Sequence, residues 1–189
     1  MRKPLRLLLP LLLVALALTA CYEPLEYELV INVSDTGAYE MSFDGTIGAY
    51  LITQAELDGT PPEELEAMVS EASGYIEENP TVTASEYRGG GIFYVRGTQS
   101  FSSTDMGVIF DLSFLDVTRE PGRMTFASWS FGEETQEQFD HLGYKHDGHV
   151  ILRTSASIIE SNGKQGPRGH YWDKELIERE GVRITIATP

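Results

Sequence analysis

The chain has 189 residues, of which 29 are acidic and 14 are basic, so its formal net charge at pH 7 is −15. This excess of negative charge argues against nucleic acid as a partner and against a basic patch for lipid headgroups. Cys21 is the only cysteine, which leaves no pair of thiols for a disulfide. The length is sufficient for one domain with an ordinary hydrophobic core.

The N-terminus has the pattern of an export signal. Arg2, Lys3 and Arg6 precede an uncharged apolar stretch over residues 7–18. As a helix that stretch would be about 18 Å long, which is too short for a hydrocarbon core of roughly 30 Å. A basic start, a short apolar stretch and small residues before a cut site are typical of a cleaved signal. We therefore predict that residues 1–20 are a signal peptide.

The end of this segment contains a second pattern. Leu18-Thr19-Ala20-Cys21 resembles the lipobox of bacterial lipoproteins. The resemblance implies that the Cys21 sulfur receives a diacylglyceryl group, that the signal is cleaved before Cys21, and that the new amine is acylated, for example with palmitate. Cysteine suits this chemistry because its thiolate is a strong nucleophile. The alternative interpretation is an ordinary secretory signal followed by a stray cysteine.

An acylated Cys21 would determine where the protein is located. Two or more acyl chains, at about 0.8 kcal/mol per buried methylene, give stable membrane anchoring. We predict a lipid-anchored protein on the outer face of a bacterial membrane, which could be the outer membrane if the cell has one. Loss of residues 1–20, which carry three basic side chains and no acids, takes the net charge from −15 to −18. Residues 21–24 are predicted to form a short tether with a reach on the order of 15 Å, and residues 25–189 a single domain.

A β-hairpin is predicted at the start of the mature domain. Residues 27–33 alternate, with Tyr27 and every second residue after it on one face, which is the period of a strand. Residues 34–37 end in glycine and supply a turn. Residues 38–43 then resume the alternation, with aromatic and aliphatic side chains directed inward.

The main helix is predicted to follow this hairpin. Thr60 is a suitable N-cap, Pro61 fits the first turn, and Glu63 would complete a capping box. Five apolar residues then recur at helical spacing: Leu65, Met68, Val69, Ala72 and Ile76. Asn79-Pro80 ends the pattern.

The rest of the chain is predicted to contain strands and short helices, with residues 106–117 ambiguous between the two. The strands are expected near 82–87, 92–97, 123–131, 149–159 and 182–187, and the helices at 132–142 and after an Asp173 cap.

This order of elements predicts an α+β fold. It would contain an antiparallel sheet that begins with the β-hairpin and packs on one main amphipathic helix, and that could curve around an apolar cavity. Apolar side chains suited to lining such a cavity are Phe110, Phe114, Met124, Phe126 and Trp129. Deep ligand sites are mostly apolar, so these residues are candidates to bind a lipid tail. The alternative is that they form an ordinary packed core.

Three histidines form the candidate metal site. Asp147-Gly148 is a favoured hairpin loop, which would make His146 and His149 cross-strand neighbours roughly 5 Å apart. Two such imidazoles, together with His141 or Asp140, could bind zinc and support a metal-dependent hydrolase. The alternative is that these histidines flank a turn in solvent. No catalytic or cofactor motif is found elsewhere in the sequence.

From Tyr27 onward the chain resembles the LppM-like family of bacterial envelope lipoproteins. The residues that carry the resemblance are YELVINVSDTGAYEMSFDGTIG, the Glu-rich helix after it, and SNG, HYWD and VRITIA near the end. The resemblance implies a small mixed or barrel-like domain held at the membrane, lipid or glycolipid binding, and no catalysis. Many members also carry a C-terminal membrane helix, and we expect none in this chain.

We therefore predict a membrane-anchored envelope lipoprotein without a cofactor. Its extracytoplasmic domain would be a non-enzymatic binding module for a lipid or other amphiphile, or for an envelope protein partner. The alternative is the metal-dependent hydrolase that would use His141, His146 and His149.

Overall fold

The computed structural model describes residues 22–111, 114–128 and 130–189. Its described strands are β1 (Tyr22–Val33), β2 (Tyr39–Ala49), β3 (Val82–Gly89), β4 (Ile92–Phe101), β5 (Leu115–Glu120), β6 (Arg123–Ser128), β7 (Asp147–Thr154), β8 (Ile158–Ser161), β9 (Lys164–Gly166), β10 (Gly169–Trp172) and β11 (Arg183–Ala187). The described α-helices are α1 (Tyr50–Leu57), α2 (Pro62–Glu78), α3 (Glu133–Leu142) and α4 (Lys174–Glu180), and a 3₁₀ turn spans Ile109–Asp111.

The strands form two sheets. One has seven strands in the order β3-β4-β2-β1-β7-β10-β9, and the other has four in the order β5-β6-β11-β8. All pairs of neighbouring strands are antiparallel except β1 with β7, which run parallel. The predicted α+β class with mainly antiparallel pairing is confirmed.

The predicted first hairpin is confirmed, with one difference at its start. Tyr27 and Leu29 are buried as expected, and β1 and β2 pair in the antiparallel sense up to Val33 opposite Tyr39. The first strand, however, begins at Tyr22 and not near Leu25. Tyr22 pairs with Ala49, so the residues directly after Cys21 are already part of the sheet.

The main helix is confirmed, but its start was misplaced. The amide of Thr60 donates to the carbonyl of Ala55 (2.9 Å), whereas the amide of Leu65 donates to the carbonyl of Pro61 (3.1 Å). The first helical acceptor is therefore Pro61, which is the N-cap and makes no side-chain capping bond. The capping box predicted at Thr60 is wrong. Within the apolar stripe, Ala72 and Ile76 are buried, and Met68 and Val69 pack against the core.

The strands predicted near 82–87 and 92–97 are confirmed as β3 and β4, which pair as a second hairpin. Its turn contains Gly89, Gly90 and Gly91, whose φ angles are 88°, 60° and 70°. Residues with a Cβ rarely adopt these values, so three successive glycines are suited to this turn.

The long strand predicted over residues 149–159 is wrong. β7 ends at Thr154, and β8 begins at Ile158 in the other sheet. Between them the amide of Ala156 donates to Thr154 Oγ1 (3.0 Å), which turns the chain from one sheet towards the other. After β8, the strands β9 and β10 form a short hairpin that the sequence patterns did not predict.

One hydrophobic core includes residues of both sheets. The ring of Tyr39 on β2 meets the edge of Phe126 on β6, with centroids 5.4 Å apart.

The two predictions for the later helices are confirmed. Gly143 ends α3 with a left-handed conformation. The Asp173 side chain caps α4 by accepting a hydrogen bond from the amide of Leu176 (3.2 Å). α3 and α4 border the cleft described next.

Candidate functional site

A cleft of about 520 Å³ lies between α3, α4 and the start of β7. This volume falls within the range of small-molecule sites, about 300–1,000 Å³. Its lining combines aromatic rings with ionisable groups, and the lining residues are Glu26, Phe131, Gln136, Phe139, Asp140, Tyr144, Lys145, His146, Asp147, Lys174 and Glu178.

His146 is a buried ionisable residue of this cleft. It follows the turn that ends α3, and only 7% of its surface is exposed. Its Nδ1 lies 3.3 Å from Oε1 of Glu178 on α4. The same Glu178 oxygen lies 3.7 Å from Nζ of Lys174, one helical turn earlier. The histidine, the carboxylate and the lysine therefore form a connected polar group.

Aromatic rings enclose the imidazole of His146. The ring centroids of Phe131, Tyr27 and Phe139 lie 4.3, 5.9 and 6.3 Å from it. This burial lowers the pKa of His146, although Glu178 acts in the opposite direction. His146 Nε2 and Tyr27 Oη are buried without a hydrogen-bond partner among the described residues. The imidazole therefore favours its neutral form.

Tyr144 forms a second aromatic part of the cleft, and its position is tightly constrained. Its hydroxyl lies 2.6 Å from Oγ1 of Thr53 on α1, and its ring meets Phe139 edge-on, with centroids 5.9 Å apart. A Cβ on Gly48 would stand 2.6 Å from Cζ of Tyr144, so the ring can lie there only because residue 48 has no side chain. Burial raises the pKa of Tyr144, which keeps it neutral at physiological pH.

The three predicted metal ligands do not converge. Asp147 and Gly148 lie within β7 and not in a hairpin turn, because β7 pairs with β1 and β10; the predicted hairpin is wrong. His146 is buried, whereas His149 and His141 are exposed. Within residues 22–111, 114–128 and 130–189, no group of three or more potential ligands is placed to hold a metal ion.

The predicted lipid-binding residues lie in the core as far as they are described. Phe114, Met124 and Phe126 are at most 1% exposed and belong to the main cluster. Phe110 is half-buried and packs edge-on against Phe43, with centroids 5.6 Å apart. Trp129 lies outside the described residues. A ligand role for these five positions stays a prediction.

Cys21 and the predicted signal peptide, residues 1–20, also lie outside the described residues. The lipid anchor therefore stays a prediction from the sequence. Among the helices of the described part of the chain, none has the length and apolar character needed to cross a membrane.

Comparison with known proteins gives one similarity in structure. No protein-family model matches the chain, and no curated protein matches it. Among solved structures, the chain is similar to the folded domain of LppM from Mycobacterium tuberculosis, determined by NMR. The two are 13% identical, the similarity covers 88% of this chain and 90% of that one, and the TM-score is 0.38. A similarity this distant establishes no family.

Sequence reasoning missed the connection between α4 and His146. Glu178 lies 32 residues after His146, and only the folded chain brings the two together. The sequence does indicate that Lys174 and Glu178 pair with each other, because residues four apart on a helix face each other.

Proposed function

We infer that this chain is a lipid-anchored, extracytoplasmic module that binds a small amphiphile in the cleft around His146 without transforming it. The observation that carries the inference is the lining of the cleft, which combines an aromatic wall with a polar rim. Phe131, Phe139 and Tyr144 offer apolar surface for a ring or the start of an acyl chain. Ligand sites combine apolar surface with polar groups that orient the ligand, and in this cleft the polar groups are in the majority.

The charge of the rim restricts the polar end of the ligand. Four acids line the cleft, namely Glu26, Asp140, Asp147 and Glu178, against two lysines, Lys145 and Lys174. An excess of acids disfavours a phosphate or carboxylate headgroup. The rim is therefore suited to hydroxyl groups, as in a glycolipid, or to an amine.

The geometry of His146 favours binding over catalysis. A general base must reach the proton that it removes. Nδ1 of His146 is turned towards Glu178, and Nε2 is enclosed, so neither nitrogen is presented to a ligand in the cleft. This position suits a structural role in the wall of the site.

The ligand proposal can be tested by extracting the purified full-length chain with organic solvent and identifying released lipids by mass spectrometry. Asp140→Trp would place an indole at the cleft. Glu137→Trp is the matched control, because Glu137 is exposed on the same helix and is not part of the lining. We expect one amphiphile to accompany the parent chain and Glu137→Trp, and to fall about tenfold, equivalent to 1.4 kcal/mol, in Asp140→Trp. Identical lipid profiles in all three chains would contradict a ligand in this cleft.

The anchor has a separate test. Radiolabelled palmitate should be incorporated into the parent chain but not into Cys21→Ser, and the Cys21→Ser chain should leave the membrane fraction. A Cys21→Ser chain that sediments with membranes as the parent does would contradict lipid anchoring and leave the cleft proposal unaffected.

A further inference from the structure

The first residue after the predicted anchor lies at one end of the seven-stranded sheet. Tyr22 begins β1 and pairs with Ala49 at the end of β2. Consecutive Cα atoms are 3.8 Å apart, so a group attached to Cys21 leaves the chain at this end. The other end of β1, at Val33, lies eleven residue steps away, or about 36 Å at strand spacing. An anchor at Cys21 therefore acts on one defined end of the sheet.

Four tyrosines gather at this end, which we call the tyrosine end: Tyr22, Tyr50, Tyr75 and Tyr87. The rings of Tyr22 and Tyr75 are stacked, with centroids 6.3 Å apart and planes at 10°. Tyr50 directly follows Ala49 and is half-buried. Tyr87 accepts a hydrogen bond from the amide of Gly91 (3.4 Å) in the glycine turn. Tyr75 is 49% exposed and Tyr87 38%, so apolar ring surface remains open at both.

The backbone at the tyrosine end is tied together. The amide of Ala49 donates to the carbonyl of Gly91 (2.7 Å), and Thr53 Oγ1 donates to the carbonyl of Gly90 (2.8 Å). These bonds fasten the start of α1 to the glycine turn between β3 and β4. The tyrosines are therefore presented on a connected platform.

Charged groups are unevenly distributed at the tyrosine end: Glu71 lies near Tyr22, and Tyr75 belongs to the Glu-rich helix α2. α1 contains one ionised residue, Glu56, and the glycine turn contains none. The pKa of Tyr22 is raised to about 12 by burial, with smaller contributions from Tyr75 and Glu71, so this hydroxyl is neutral at physiological pH. Burial also raises the pKa of Glu23. The acids near Tyr22 and Tyr75 favour a lipid surface without net negative charge, such as phosphatidylcholine, over an anionic one.

We propose that the tyrosine end lies in the headgroup region of a phospholipid bilayer and fixes the orientation of the domain on it. Tyrosine is enriched at membrane–water interfaces, because its ring is apolar and its hydroxyl is polar. The proposal rests on the lipid anchor of the proposed function. Acyl chains at Cys21 bring this end to the surface, and the exposed rings of Tyr75 and Tyr87 then insert among the headgroups.

This orientation would bring the cleft close to the lipid. Glu26, at the edge of the cleft, lies four residues along β1 from Tyr22, or about 13 Å. Tyr144 of the cleft wall is bonded to Thr53 (2.6 Å), which is itself joined to the glycine turn. An amphiphile leaving the bilayer would have only this short distance to travel.

The test uses the full-length chain in phosphatidylcholine vesicles. Cys21 is the only cysteine and would be blocked by its acyl group, so one introduced cysteine can carry an environment-sensitive fluorophore. Glu71→Cys places it beside Tyr22. Asp35→Cys, an exposed acid in the turn at the far end of β1, is the matched control. With nitroxide-bearing lipids we expect the fluorescence to be quenched strongly at position 71 and not at position 35.

Removing the exposed tyrosine rings distinguishes insertion of these rings into the bilayer from tethering by the acyl chains alone. In the Glu71→Cys chain, the pair Tyr75→Ser and Tyr87→Ser should abolish most of the quenching. Tyr171→Ser, which removes a ring of 38% exposure on β10, should leave the quenching unchanged. Equal quenching at positions 71 and 35, or quenching that survives loss of both rings, would overturn the proposal while the anchor stands. A chain that fails to float with the vesicles would overturn both the anchor and this proposal.

Discussion

The two sides of β7 give neighbouring histidines different surroundings. His146, just before the strand, is enclosed by aromatic rings at the cleft. His149 is half-exposed on the opposite side, with Nδ1 3.9 Å from Oδ1 of Asp147. It borders a smaller pocket of about 290 Å³, together with Ile151 and Pro167. Successive side chains of a strand point to opposite faces. His146 and His149 are three positions apart, an odd number, so one lies on the buried face and the other faces solvent.

Residue type alone therefore does not define a site here. The imidazole of His146 is held by Glu178 and by packing, so its protonation is coupled to the fold. Solvent reaches His149, whose side chain is 50% exposed. Paired substitutions, one on each side of β7, test this difference.

The largest effect is expected from Gly148→Ala. A Cβ at this position would stand 2.6 Å from both Cζ and Oη of Tyr27. Tyr27 cannot easily move, because it packs on Phe43 and Phe114, with centroids 5.7 and 5.5 Å away. Forcing extra volume into such a core costs about 1–3 kcal/mol, so we expect a loss of unfolding free energy in that range, measured by urea denaturation.

The matched change on the other side is His149→Ala. Exposed substitutions of this kind alter the free energy of unfolding by less than about 0.5 kcal/mol. If Gly148→Ala proved as mild as His149→Ala, the ring of Tyr27 would not pack closely over β7.

The next largest effect is a pH dependence of the free energy of unfolding, caused by His146. Burial lowers the pKa of His146 below its usual 6.5, while Glu178 and Asp147 raise it and Lys174 lowers it further. As pH falls below 6.5, the unfolded chain binds a proton that the native chain does not bind. The free energy of unfolding therefore decreases with falling pH until the native pKa of His146 is reached. Urea midpoints measured from pH 7.5 downward should show this loss.

Two leucine variants assign that loss to one side of β7. His146→Leu should flatten the decrease just below pH 6.5, because the titrating group is gone. His149→Leu should preserve it. A decrease that persists unchanged in His146→Leu would show that another group is responsible.

Several elements could be predicted because local patterns agreed with the tertiary structure. In β1 and β2 the apolar residues that alternate in the sequence lie on the buried face of the paired strands, and Leu29 and Met41 are completely buried. The turn at residues 34–37, the Gly143 end of α3 and the Asp173 cap use chemistry contained within a few residues. Sequence alone is sufficient where the partners are close along the chain.

Other elements depend on contacts that local patterns do not contain. Asp147-Gly148 is a strong turn signal, yet Gly148 is required as a glycine because Tyr27 lies over it. The break between Thr154 and Ile158 contains neither glycine nor proline, and pairing with β11 draws β8 into the other sheet. The cleft escaped prediction because α3 and α4 are separated by four strands along the chain.

The smallest effects on stability concern one ion pair on each side of β7, in each of which the basic side chain is exposed. Lys174 Nζ lies 3.7 Å from Glu178 at the cleft, and Arg168 Nη1 lies 4.0 Å from Glu28 at the outer pocket. Exposed pairs contribute about 0–1 kcal/mol, so Lys174→Met and Arg168→Met should leave the urea midpoint almost unchanged.

Binding should nevertheless distinguish these two variants. Lys174→Met removes one of two positive charges from an acid-rich rim, which favours a cationic headgroup further and leaves a neutral one unaffected. The amphiphile recovered by solvent extraction should therefore stay constant or increase in Lys174→Met, and should not change in Arg168→Met. A loss confined to Lys174→Met would mean that the lysine holds an anionic headgroup. The excess of acids around His146 would then not determine which ligand the cleft accepts.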